Sequence, residues 1–534
     1  MNAASHEGTP VQHELLADVL VIGGGPAGAW AALTAREHGA ERVVLVDKGY
    51  CGTSGATASA NTGVWCVSPE GDARERAIAA RLAQSAGLGR RDTMGRVLDT
   101  TWQRLADLAQ LGFPFPVDDA GQQYRANLRG PDYMAFMRQQ LKRARVVILD
   151  HSPALELLLS GHEVAGASGL RLFGGDSYRV SASAVVLASG GVAFLSKTLG
   201  CDVNTGDGLL MAAEVGAELS GMEFSAQYGI CPAYSSVTKG LPYVWATFSD
   251  DAGRVIDTSA DRQLTLARAL LEGPVYAVLD RAPPAVQRWL REGQPNCFLP
   301  HDRLGIDPFR QRFPITMRCE GTVRGTGGVR ILDRDCSTRV PGLYAAGDVA
   351  SRETLVGAAT GGGAPNAAWA ISSGTWAGRA AAQYAGSQGS VEGRPLSAAG
   401  TIGLRPTAAS AGADSLAAEV IARVQAELLP LDKNLFRSQA LLERSLSLLD
   451  DAWLDARARL VGEGRAGVRA REAAALLSCA RFAYRSALVR SESRGLHQRL
   501  DRPEQDPEQA HSLACTDVDR IDVRSYRYTE EATS

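Results

Sequence analysis

Apolar positions change period several times along the chain, and each change marks an element. The run Val19–Ile22 is continuously apolar, as a strand covered on both faces is, and a glycine turn separates it from an alanine-rich helix predicted over Ala27–His38. Gly39 stops that helix, and a second apolar run, Val43–Val46, completes a βαβ unit that opens at about Asp18. From Arg129 to about Gly221 the pattern predicts a helix over Tyr133–Arg143, a strand over Val146–Leu149, a short glycine-rich meander and a strand over Ala184–Ala188. The stretch from Gly221 to Pro314 carries Pro, Tyr and Trp without the βαβ rhythm and reads as an inserted domain. The rhythm returns over Gly327–Ala385, with a strand at Gly342–Ala345 and a helix from about Pro365. Ala385–Asp414, rich in Gly, Ser and Ala, reads as a linker. Beyond it Leu416, Val420, Ile421, Val424 and Leu428 share one helical face, and further helices are predicted over Ser438–Val461 and Val468–Val489. Residues 500–534 are polar and read as an extended tail packed on the body.

A chain of 534 residues is expected to hold two or three domains. Its apolar content of 45% and charged content of 22% are those of a soluble globular protein. A net charge of −3 offers no electrostatic ground for a nucleic acid or anionic membrane partner. No apolar run approaches the roughly 18–20 residues that span a bilayer. The opening residues lack the basic and apolar regions of a secretory signal. The nine cysteines are scattered and none forms a CxxC pair, so neither an iron–sulfur cluster nor a zinc site is expected within the chain. The reading is of reduced thiols and a cytoplasmic location.

The chemistry-bearing signal is Gly23-Gly24-Gly25-Pro26-Ala27-Gly28, set between an apolar strand and a helix. Gly23 permits a tight turn, Gly25 lets a pyrophosphate approach the backbone, and Gly28 lets the helix pack on the sheet; the pyrophosphate then faces the helix N-terminus. The second strand ends in Asp47-Lys48, where the Asp47 carboxylate can accept ribose hydroxyls. A longer dinucleotide, FAD, is indicated downstream. A strand running into Gly347-Asp348 can meet the ribityl side, and Gly361-Gly362-Gly363-Ala364-Pro365-Asn366-Ala367 opens a helix whose positive end can face the flavin.

With these motifs the sequence resembles the flavoprotein subunits of succinate dehydrogenase and fumarate reductase, together with L-aspartate oxidase and adenylylsulfate reductase. The likeness rests on Asp18–Gly28, Ser54-Gly55-Ala56-Thr57, Ala184–Gly191, Asn204-Thr205-Gly206-Asp207-Gly208, Met222-Glu223-Phe224, Pro341–Asp348 and the run Arg490–His497. The wording of Ser54–Thr57 and Ala345–Asp348 is similar to the adenylylsulfate reductase α-subunit branch. The resemblance implies an α/β fold: a Rossmann-like FAD-binding domain of the glutathione reductase type, an inserted α+β capping domain and a C-terminal helical domain. The boundaries expected are 1–220 and 315–385 for the FAD-binding domain, 221–314 for the cap, 386–414 for the linker and 415–534 for the helical domain and tail. It also implies that Ser54–Thr57 and Asp207 line the flavin and that Ala154-Leu155 meet the adenine through their backbone. Ser189-Gly190, at the end of the Ala184–Ala188 strand, complete the expected cofactor contacts.

Departures from the family pattern bear on function. Gly55 stands where covalent members carry a flavin-linking His, which implies noncovalent FAD. The family's cap His has no counterpart in Ser225–Ile230, nor its proton-donating Arg in Gly240–Trp245; its other clamping His and Arg fall at about Val323 and Gly361. Succinate and fumarate are therefore not expected as substrates. On the substrate side the candidates are Arg324, Tyr228, Lys239 and His301, each with an ordinary alternative: an interdomain Arg, a core Tyr, a solvated Lys and an exposed loop His. Glu492 and Arg494 read as a structural pair. Three functions stay open. The first is hydride chemistry at flavin N5 on a small, anionic substrate, and the second is electron transfer with a separate ferredoxin-like iron–sulfur protein. The third is a flavin-binding protein with a structural role.

Overall fold

The first apolar run lies within a longer strand, His13–Ile22, because its polar N-terminal half also finds partners along the strand Ser177–Leu187. The computed structural model describes residues 13–117, 121–408 and 413–528. His13–Ile22 is central to an eight-stranded sheet, flanked in parallel by Ser177–Leu187 on one side and Val43–Val46 on the other, with Val147–Leu149 beyond. On the opposite side an antiparallel meander adds Glu163–Leu170, Ala154–Ser160 and Ser397–Ala398, and Leu343–Ala345 joins the C-terminal end of Ser177–Leu187 in parallel. Val19, Leu20, Val21 and Leu45 are fully buried, which explains their unbroken hydrophobicity.

Two helices pack face to face across one side of this sheet, Pro26–Glu37 and Ala364–Gln388. Their approach depends on glycine. A Cβ at Gly374 would lie 2.3 Å from the Ala27 carbonyl oxygen, and one at Gly378 2.2 Å from that of Ala31. The alanines and glycines of these helices therefore fix how closely the late helix lies on the early one.

The inserted region carries its own antiparallel sheet, in the order Tyr228–Pro232, Phe313–Cys319, Val275–Val278, Thr247–Asp250, with helices Arg262–Glu272, Pro284–Gly293 and Pro295–Leu304. Its closing strand runs to Cys319, past the expected limit at Pro314. Toward the C-terminus, helices Ala413–Leu428 and Gln439–Arg459 pack on Gly464–Val489. Leu416, Val420, Ile421, Val424 and Leu428 are all buried, as their spacing predicts.

Two regions read from composition alone are more ordered than expected. Within the glycine- and serine-rich stretch, Ser397–Ala398 pairs with Ala154–Ser160, and the Gly400 amide donates to Glu156 Oε2 at 3.2 Å. The helix before it runs to Gln388. Residues 409–412 of that stretch lie outside the described residues, as do residues 1–12 and 529–534. In the polar tail, Ser512–Thr516 pairs with both Leu219–Ser220 and Asp522–Tyr526. Among the described residues no helix is long and apolar enough to cross a membrane.

The C-terminal helices are joined to the cap border by buried charges. Arg490 gives Nε and Nη2 to Glu223 Oε1 at 2.9 and 2.7 Å and Nη1 to Glu492 Oε1 at 3.1 Å, and Arg494 Nε donates to Glu492 Oε1 at 2.6 Å. All four side chains are at most 1% exposed. Removing one member of such a set leaves a buried charge without its partner, a loss of about 3–5 kcal/mol. Arg490→Met is expected to lower the denaturant midpoint by a corresponding amount without changing the fold at low denaturant, as followed by circular dichroism.

Candidate functional site

The turn after the first strand is built around one carboxylate. Asp47 Oδ2 accepts the Gly24 amide at 2.6 Å, and Oδ1 accepts the Gly49 amide at 2.7 Å and the Ser54 hydroxyl at 2.8 Å. A Cβ on Gly24 would lie 2.8 Å from Asp47 Oδ2, so this close approach requires glycine. Gly23 has φ +110°, and a Cβ on Gly28 would meet the Gly23 carbonyl oxygen at 1.8 Å. Gly25 caps the helix in an extended conformation, followed by Pro26 in the first helical turn.

Behind this turn opens a cavity with about 1300 Å³ of atom-free space, its mouth included. Its wall includes Gly23, Gly25, Pro26, Ala27, Asp47, Lys48, Ser54–Thr57, Ala154, Ser189, Gly190, Asp207, Gly347, Asp348, Asn366 and Ala367. Cβ atoms built on Gly25, Gly55, Gly362 or Gly363 would meet no protein atom within 4 Å, so backbone faces open space at four points of the wall. Ser189 Oγ, Asn204 Oδ1 and Asn366 Oδ1 are buried and have no hydrogen-bond partner. Buried polar atoms in this state call for a ligand with its own polar groups.

Two charged groups of the wall, Lys48 and Asp348, are already paired. Lys48 Nζ contacts Asp207 Oδ2 at 2.6 Å and Glu472 Oε1 at 2.8 Å, and those two carboxylates hold its pKa above the usual lysine value despite burial. Asp348 takes Arg352 Nη1 at 3.0 Å; burial raises the Asp348 pKa, against the pull of Arg352 and Arg324. Gly347, at φ +71°, gives its amide to Ser373 Oγ at 2.9 Å and accepts Trp369 Nε1 at 3.0 Å, which fixes the loop carrying Asp348 to the helix Ala364–Gln388.

Val323, Arg324 and Lys239 line the same cavity. Arg324 Nη1 donates to the Thr238 carbonyl at 2.9 Å and pairs with Glu320 Oε1 at 3.0 Å, while Thr238 Oγ1 donates to the same Glu320 oxygen at 2.6 Å. Burial, then the Arg324 charge, pull the Lys239 pKa down to about 8. Burial pushes the neighbouring thiols the other way, Cys201 up to about 12 and Cys297 to about 11, so both stay protonated at neutral pH.

Most residues expected at the cofactor come together here, with exceptions that have clear causes. Leu155 does not line the cavity; its carbonyl is taken by Arg471 Nε at 2.8 Å. Gly28 also lies off the wall, where its contact with Gly23 supports the turn. Of the substrate-side candidates, Arg324 and Lys239 both line the cavity. Tyr228 does not: it is buried, and its hydroxyl faces the Leu428 and Leu429 carbonyls at 3.1 and 3.2 Å. His301 is a buried helix residue rather than an exposed loop one, with Nδ1 2.7 Å from the Tyr234 hydroxyl; burial lowers its pKa to about 4. Glu492 and Arg494 form the buried pair expected of them. Glu320, Asn204 and the Lys48–Glu472 contact were not foreseen as parts of the site. The spacing of Glu320 and Arg324, four residues apart, is the one sequence signal for the first of these.

Comparison with known proteins decides the family. Residues 18–229 match the family of FAD binding domains, and residues 432–531 match the fumarate reductase flavoprotein C-terminal family. The chain belongs to the succinate dehydrogenase/fumarate reductase flavoprotein family. As a member it is an FAD-dependent oxidoreductase. It is 28% identical to the L-aspartate oxidase of Mycobacterium leprae, covering 93% of this chain and 94% of that one. To a fumarate reductase (CoM/CoB) chain of Methanothermobacter marburgensis it is 25% identical, over 93% and 96% of the two chains. Its fold is that of E. coli quinol fumarate reductase (TM-score 0.81, 20% identity, 97% of both chains). It is likewise that of adenylylsulfate reductase from Archaeoglobus fulgidus (TM-score 0.79, 18% identity, 97% and 96%).

For a flavoprotein of this family the open wall at Gly25 has a direct test. Valine can adopt the local φ of −72° and its Cβ would meet no protein atom within 4 Å, so Gly25→Val is expected to fold. Its side chain would stand in the space a pyrophosphate needs. The purified variant should keep the wild-type circular dichroism spectrum and lose the flavin absorbance.

Proposed function

We propose that this flavoprotein holds FAD without a covalent link and exchanges two electrons, as hydride, with a small anionic substrate other than succinate or fumarate. The observation that carries this reading is that two neighbouring cations, Arg324 and Lys239, both line the cofactor cavity. The FAD contacts proposed are those of the cavity wall: the Gly23–Gly28 turn, Asp47, Ser54–Thr57, Asp207, Asp348 and the helix start at Asn366-Ala367. When bound, FAD supplies a hydride acceptor at N5.

The protein groups have distinct tasks. The N-terminus of the helix Ala364–Gln388 offers amide donors and a positive dipole end to the isoalloxazine side. Arg324 is held by Thr238 and Glu320, so its guanidinium is oriented before a substrate arrives. Lys239, with a pKa of about 8, can carry or release a proton near neutral pH, which a solvated lysine cannot. At Gly55 no nucleophile is present, so acid precipitation is expected to release all of the flavin into the supernatant.

Dicarboxylate chemistry needs two cationic clamps and an acid aimed at carbon. Here Glu320 offsets Arg324, Val323 is apolar, and residues 240–245 contain no arginine. Fumarate with reduced viologen and succinate with a dye acceptor are both expected to give negligible turnover; rates on the order of 10 s⁻¹ would overturn the reading.

A second reading, delivery of electrons to a small ferredoxin-like iron–sulfur subunit, draws support from the likeness to a chain named as one subunit of a fumarate reductase. The likeness to proteins named L-aspartate oxidase favours oxygen instead. Anaerobic photoreduction followed by oxygen or by a ferredoxin separates the two, since only one acceptor should restore the flavin spectrum within seconds.

A further inference from the structure

Lys239 belongs to three adjoining spaces. It lines the cofactor cavity, a polar recess with Glu320 and Arg324, and a separate apolar pocket inside the cap. That apolar pocket is small, about 300 Å³ of atom-free space with the solvent at its mouth included, and is walled by Val237, Tyr243, Leu279, Phe298 and Phe313, with His301 at its side. His301 adds no charge there at neutral pH, because burial keeps it neutral and Tyr234 binds its Nδ1.

We propose that the substrate is a monocarboxylate bearing a short apolar substituent, with its carboxylate between Arg324 and Lys239 and its substituent in the cap pocket. This selection rests on the anion site proposed above. Charge decides the number of carboxylates. Arg324 and Lys239 are two cations and Glu320, only 2% exposed, is one anion, so the recess has one positive charge to offer. A single carboxylate balances it. A second carboxylate would have to enter a pocket of aromatic and aliphatic walls or approach Glu320, and either position desolvates it without a partner. Arg324 uses Nη1 on the protein; among the described residues no hydrogen bond is made by its Nε or Nη2. An apolar substituent next to the carboxylate gains from burial in the cap pocket, where each methylene contributes several-fold in affinity.

The probes are acetate, isovalerate, phenylacetate and succinate, titrated into the FAD-loaded full chain while the flavin absorbance is followed. Isovalerate is expected to bind at least about tenfold more tightly than acetate or succinate. Leu279→Phe, which narrows the apolar pocket at a residue that does not line the recess, should bring isovalerate to the acetate level and leave acetate unchanged. Arg324→Met should weaken all four. The groups facing Lys239 are Arg324, Glu320, Cys201 and Cys297, with His301 across the pocket, and of these only Lys239 changes charge near pH 8. Isovalerate affinity should therefore hold below about pH 8 and fall above it, and Lys239→Met should remove that dependence. If succinate binds as tightly as isovalerate, or Leu279→Phe changes nothing, the apolar selection is wrong while the anion site stands. If Arg324→Met leaves every affinity unchanged, the anion site itself is wrong.

Discussion

The Asp47 carboxylate is the constraint on which the cofactor end of the molecule depends. Buried to 7% exposure, it takes three donors from three places in the chain: the glycine turn, the loop after its own strand and the Ser54 segment. Gly24 can approach it only because there is no Cβ to intervene. Closing the turn in this way points the helix Pro26–Glu37 along the sheet. The glycine contacts at Gly374 and Gly378 then set Ala364–Gln388 against that helix. The two helix N-termini that border the cavity, more than three hundred residues apart in sequence, are in this way placed by one chain of close backbone contacts.

Charge along the cavity is arranged in two regimes. Around the cofactor wall two of the buried ions have counter-ions, Lys48 with Asp207 and Glu472 and Asp348 with Arg352, while the Asp47 carboxylate takes amide and hydroxyl donors. Ion pairs of this kind fix geometry without adding net attraction for a ligand. At Arg324 and Lys239 the balance is broken, since two cations share the single carboxylate of Glu320, which pairs directly with Arg324 and reaches Lys239 only through its field. Cationic side chains are therefore in excess at Arg324 and Lys239, apart from the attraction that the helix N-termini offer the anionic groups of a cofactor.

Much of this was legible in residue order because its signals are local. The Gly23–Gly28 run, the apolar strands and the spacing from Leu416 to Leu428 each specify an element from its own neighbours. What could not be read depends on pairing across the chain. Ser397–Ala398 and Ser512–Thr516 are polar or mixed segments that become strands only because Ala154–Ser160 and Leu219–Ser220 have free edges to offer. For Tyr228 the sequence left a catalytic and a core reading open, and the buried side chain is the core one, its hydroxyl facing the carbonyls at Leu428 and Leu429. His301 sits beside Pro300 and Asp302, a loop-like context in sequence, but the helix Pro295–Leu304 buries it against Phe313.

The helical region is more than a cover for the nucleotide fold. Glu472, on the helix Gly464–Val489, reaches Lys48 at the cavity wall, and Arg471 beside it holds the Leu155 carbonyl and pairs with Glu214. These contacts cross from the C-terminal helices to the loop after Val43–Val46, to the strand Ala154–Ser160 and to the helix Asp207–Glu214. Any ligand that binds only the folded wall stabilises everything the wall is packed on, by linkage. The helix Gly464–Val489 and the cofactor site thus share one equilibrium, and the neighbouring Arg490–Glu223 pair extends it to the border of the cap. Displacing the helix would leave Lys48 with one counter-ion fewer and the Leu155 carbonyl without its donor, at the edge of the cavity where the nucleotide end of FAD is expected.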